Sequence, residues 1–72
     1  MTKTEIQKRF GKKVRSLRNK QELSQEELAH ASGLDRSYLG QVERGERNIT
    51  LENIFKIATG LNTEAYILLM EI

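Results

Sequence analysis

The 72-residue chain has no cysteine and no proline, and His30 is its only histidine. Without cysteine there is neither a disulfide framework nor a thiolate metal site, and one histidine with no second nearby is no metal centre. No cofactor or metal is expected. The opening MTKTEIQKRF offers no apolar stretch of the signal-peptide kind, and no run elsewhere could span a bilayer. The cytoplasm is therefore the expected compartment, with no membrane partner. The absence of proline suits an all-helical chain. There is also no nucleophile–base pair, no paired-carboxylate pocket and no phosphate loop, so an enzyme is rejected.

A chain this short makes one domain at most, and it buries a core so small that it must pack its helices well or oligomerise. Its formal net charge is only +2, but the sign is unevenly spread. Residues 1–20 hold eight Lys/Arg against Glu5 alone, a net of +7, whereas residues 21–72 hold four against nine acids, a net of −5. A polyanion would be drawn to the first part, although a solvated helix face accounts for it as well.

The most informative stretch is LSQEELAHASGLDRSYLGQVERGERN, residues 23–48. Ser24 followed three residues later by Glu27 is a capping box. The helix it starts, about 24–31, is broken at Ser32-Gly33, where glycine suits a left-handed C-cap. Asp35 is placed as a second N-cap for a helix over about 35–44, which Gly45 stops. Two short helices joined by a glycine-containing turn predict a helix-turn-helix, whose second helix enters the DNA major groove.

Around this motif, Ile6, Phe10, Val14 and Leu17 predict a first helix over 4–20 with one apolar stripe. Lys8, Lys12 and Arg15 lie opposite that stripe. Arg18 lies beside the core, so it needs a carboxylate, and Glu43 is the candidate partner in a structural ion pair. Leu23 is expected to pack as a hydrophobic staple on Leu28. Gly40 inside the second motif helix implies close approach, of DNA or of another helix.

Thr50 caps a fourth helix, about 50–60, carrying Ile54, Ile57, Ala58 and Leu61 inward. The last helix, about 63–71, is apolar nearly all round. Ala65, Leu68, Leu69 and Ile72 can cover the core, which leaves Tyr66, Ile67 and Met70 outward, joined by Phe55. Such a patch marks an association surface, here a homodimer interface formed by the C-terminal helix. The expected architecture is all-α: a compact five-helix bundle forming one helix-turn-helix domain over residues 1–72.

Val14-Arg15-x-Leu17-Arg18, Leu23-Ser24-Gln25-Glu26-Glu27-Leu28-Ala29, Ser32-Gly33-Leu34, Glu43-x-Gly45 and Leu61 together resemble the Xre/Cro–cI class of helix-turn-helix regulators, over about residues 9–61. Leu34-Asp35-Arg36-Ser37-Tyr38 and Glu43-Arg44-Gly45-Glu46-Arg47-Asn48-Ile49-Thr50-Leu51 further resemble the controller proteins of restriction–modification systems. The resemblance implies a lambda-repressor-like fold and a homodimeric transcriptional regulator on a palindromic operator, with recognition helices in successive major grooves about 34 Å apart. A phage-type repressor and an antitoxin-like protein-interaction module are the alternatives.

By the same resemblance Gln25 would clamp a phosphate at a helix N-terminus. Arg36, Ser37, Tyr38 and Gln41 would face the groove, Arg36 pairing with guanine and Gln41 with adenine or a phosphate. Arg44, Arg47 and Asn48 would hold the backbone, although Arg44 could pair with Glu46 instead. For Tyr38 the competing reading is partial burial against the first helix. Glu26 and Glu27 could form an acidic patch for RNA polymerase, or serve as N-terminal helix charges. The chain departs from the family at Glu22, where glycine is common, so the turn there is open to a different construction. Thr63-Glu64, in place of Val-Ser, does the same for the start of the last helix.

Overall fold

The computed structural model describes residues 1–72 as five helices with no strand: α1 Lys3–Lys20, α2 Gln25–Ser32, α3 Arg36–Glu43, α4 Leu51–Gly60 and α5 Ala65–Leu69. Side chains set three of the starts. Thr2 and Glu5 form a capping box ahead of α1. Ser24 and Glu27 form one ahead of α2, with the Glu27 N–H donating to Ser24 Oγ at 3.0 Å and the Ser24 N–H to Glu27 Oε1 at 2.8 Å. Thr50 Oγ1 accepts from the Asn53 N–H at 3.1 Å to start α4. Asp35 occupies the N-cap position of α3, but its side chain makes no capping bond.

The core is one cluster of Phe10, Val14, Leu28, Ala29, Leu39, Val42, Ile57, Ala58, Leu61 and Leu68. α2 packs chiefly on α4 and α1 on α3, while α5 closes the bundle against α4 and α1. Leu23 and Leu17 pack on the rim of the cluster, half-buried. The α1–α3 contact depends on Gly11. A Cβ there would collide with the backbone carbonyls of Val42 and Glu43, so no larger residue lets the two helices approach this closely. Hydrophobic periodicity gives no hint of this, because Gly11 lies next to the apolar stripe rather than on it.

Three expectations are corrected. The turn before α2 keeps a left-handed residue although glycine is missing: Glu22 itself sits at φ 57°. The turn's bonds hold it there, with the Glu22 N–H donating to the Asn19 carbonyl and the Leu23 N–H to that of Arg18. The last helix is shorter than 63–71. The chain leaves α4 through Asn62 at φ 55°, resumes the helix only at Ala65, and ends it before Met70, which is extended. Leu69, expected in the core, is 47% exposed, and Ile6 is 44% exposed although it lies on the α1 stripe. A five-residue helix offers the core little more than one turn, and Leu68 fills that place with no exposure at all.

Candidate nucleic-acid interface

α3 is amphipathic in a simple way. Leu39 and Val42 are buried, while Arg36 and Ser37 are exposed and Gln41 is half-exposed. Gly40 is buried beneath two side chains. A Cβ there would stand 3.2 Å from the Arg44 guanidinium and 3.6 Å from the Gln25 amide oxygen, so this glycine makes room for those groups rather than for another helix.

Behind α3 lies a buried polar cluster. Arg18 Nε donates to Glu43 Oε2 at 2.7 Å and Arg18 Nη2 to Glu43 Oε1 at 2.9 Å, a two-pronged pair with side chains only 10% and 2% exposed. Arg18 Nη1 donates to the Leu23 carbonyl at 2.8 Å. The hydrogen bond to Glu43 drives the Arg18 pKa further up, against the effect of burial, so the arginine stays charged. Gln25 joins the same cluster, its Nε2 donating to Glu43 Oε1 at 3.0 Å. One amide proton of the expected phosphate clamp is therefore turned inward, which leaves its second proton and the backbone N–H at the start of α2 to face a ligand. The cluster ties α1, the start of α2 and the end of α3 into one unit.

Tyr38 is half-buried, but not against α1. Its hydroxyl accepts a hydrogen bond from Asn53 Nδ2 of α4 at 3.0 Å, and its ring carries the Arg47 guanidinium 4.9 Å from the centroid. That contact is a cation–π pair. Asn53 is the residue that the sequence reading missed. Its only signal was its place three residues after the Thr50 cap, which explains its backbone and says nothing of its side chain. Arg44 does pair with Glu46, through Nε–Oε2 at 2.9 Å and Nη2–Oε1 at 3.2 Å, and both groups are well exposed. The hydrogen bond lowers the Glu46 pKa and raises that of Arg44. Exposed pairs of this kind are weak and exchange readily for other partners. Asn48 is exposed beyond them.

On another side, α4 and α5 present apolar side chains to solvent. Phe55 is 56% and Tyr66 63% exposed, Met70 is exposed and Ile67 is half-buried. Thr59 shares a shallow depression with Phe55 and another with Tyr66 and Ile67, so the patch is continuous between the helices. Leu51, one turn before Phe55, and Leu69 extend it beyond the expected set.

Comparison with known proteins places this geometry. A family model described as helix-turn-helix matches residues 14–68. The control protein C.SmaI of Serratia marcescens is 51% identical over 59 residues, covering 82% of this chain and 70% of that protein. The control protein C.BamHI of Bacillus amyloliquefaciens is 46% identical over 56 residues, covering 76% and 69%. The crystal structure of the restriction–modification controller protein C.AhdI from Aeromonas hydrophila superposes with a TM-score of 0.83 at 56% identity, covering 85% of this chain and 92% of that one.

Proposed function

The chain belongs to the helix-turn-helix family, in its Xre-like branch with the restriction–modification controller proteins, and from this we propose that it is such a controller, acting as a homodimer on a palindromic operator. It is a DNA-binding regulator and not an enzyme. The observation that carries the finer reading is the pairing of two surfaces: an exposed polar row on α3 and a continuous apolar patch on α4–α5.

In this reading Arg36, Ser37 and Gln41 meet base edges, and Tyr38 meets a sugar, a thymine methyl or a phosphate. Gln25, Arg44, Arg47 and Asn48 grip the backbone, and Arg44 exchanges Glu46 for phosphate. Phe55, Tyr66, Ile67 and Met70, with Leu51 and Leu69, bury against a second copy, so that the two α3 helices reach successive major grooves. Contact with RNA polymerase would fall to Glu26, because the Glu27 carboxylate is held in the capping box. The cytoplasm is the compartment where such a regulator meets its operator.

The test is selection of bound duplexes from random sequence, with the mass of the chain measured in solution. A recovered site with two-fold symmetry and a dimer mass support the reading. A chain that prefers no duplex over any other at moderate salt overturns it. A monomer would leave the apolar patch to a different protein, as in the antitoxin-like alternative.

A further inference from the structure

α1 carries a second charged surface that the reading of α3 does not use. Away from the core, Lys12, Arg15, Ser16, Asn19 and Lys20 line one open cleft that contains no apolar side chain. None of its cations belongs to an ion pair; the salt bridges of the fold are Arg18–Glu43 and Arg44–Glu46. Glu71 lies in a neighbouring hollow with Arg9, Lys12 and Lys13, at the edge of the surface. With a net +7 on residues 1–20 and −5 on the rest, the field of the molecule is polarised toward this helix.

Its position gives the charge a direction. The backbone of α1 at Gly11 abuts the carbonyls that end α3, and Lys8 packs on Gly45, just beyond that end. The cations of α1 therefore continue the exposed row of Arg44 and Arg47 around the outside of the bundle, along about 18 Å of helix from Lys8 to Lys20. We propose that the outer face of α1 grips the phosphate backbone of duplex DNA flanking the sequence that α3 reads. This rests on the DNA-binding reading of α3. A protein partner would need an apolar centre to its interface, and the cleft has none. Phosphates need cations interleaved with small neutral hydrogen-bonding side chains, and Lys12, Arg15 and Lys20 with Ser16 and Asn19 supply both.

The test compares wild type with a Lys12→Gln, Arg15→Gln, Lys20→Gln variant on two duplexes bearing the selected site. One stops at the base pairs the recognition helices reach, and the other continues by about one helical turn, ~10 base pairs, on each side. Circular dichroism confirms that the variant stays helical. On the long duplex the variant should bind at least about tenfold more weakly, and its salt slope should fall by about three, one for each lost phosphate contact. On the short duplex its affinity should match wild type, and its preference for the site over random DNA of equal length should persist. Equal weakening on both lengths would overturn the proposal by revealing a general field effect. Unchanged binding on both would overturn it and leave the face to an acidic protein. A wild-type chain without site preference would instead refute the reading of α3 itself.

Discussion

Arg36 and Glu22 are both exposed, yet opposite physics governs them. Arg36 stands outside every ion pair of the fold, so removing it should leave stability alone and act only on DNA. Arg36→Ala is expected to cost about 1–3 kcal/mol on the selected operator and to relax base choice at one position, read by titration against operator and random duplexes. Equal loss on both would argue against base readout. Glu22 carries the reverse signature. At φ 57° its Cβ is crowded against its own backbone, and glycine would relieve the strain. Glu22→Gly should therefore stabilise the chain by about 1 kcal/mol in urea unfolding, with DNA affinity unchanged. A loss of stability would mean that the turn's hydrogen bonds, rather than strain, dominate at that position.

Among the helices, α1 and α3 are joined by the absence of a side chain as much as by the presence of others. Gly11→Ala should push them apart and destabilise the fold by about 1–3 kcal/mol, because the added methyl meets backbone carbonyls, which cannot swing away as a side chain can. A melt within error of wild type would show that the helices can part at no cost. The start of α2 responds to pH. The backbone and side-chain hydrogen bonds from Ser24 hold the Glu27 pKa below its ordinary value of 4.5. A carboxylate with a lowered folded-state pKa stabilises in full above the unfolded value, and it loses that contribution as pH falls through the folded one. Glu27→Gln should thus melt below wild type at neutral pH, and the gap should close below about pH 4. A gap that persists in acid would mean that the charge at the capping box contributes nothing.

For the molecule as a whole, the exposed apolar area on α4 and α5 is large for a fold of this size, and a second copy would remove it from water. Tyr66→Glu should give a monomer at micromolar concentration by analytical ultracentrifugation, with operator binding weakened by at least about tenfold because two half-sites are no longer engaged together. A dimer that survives the substitution would place the interface elsewhere. The melting temperature of wild type should also rise with protein concentration, as it does for any fold stabilised by association.

Much of this was legible in the linear chain. Ser24–Glu27, Thr50 and Gly33 announce helix ends because caps are local, made between residues three or four apart. Leu28, Leu39, Val42, Ile57 and Leu61 announce the core because helical periodicity repeats within a few turns. The Arg18–Glu43 pair could be anticipated from the cost of leaving an arginine beside a core. The closeness of α1 to α3 at Gly11, the grip of Asn53 on Tyr38 and the inward turn of Gln25 toward Glu43 were not legible. Neither was the short α5 that leaves Leu69 in solvent. Each of these depends on the distance between elements far apart in the chain, or on how many turns the core has room for, and packing alone decides both.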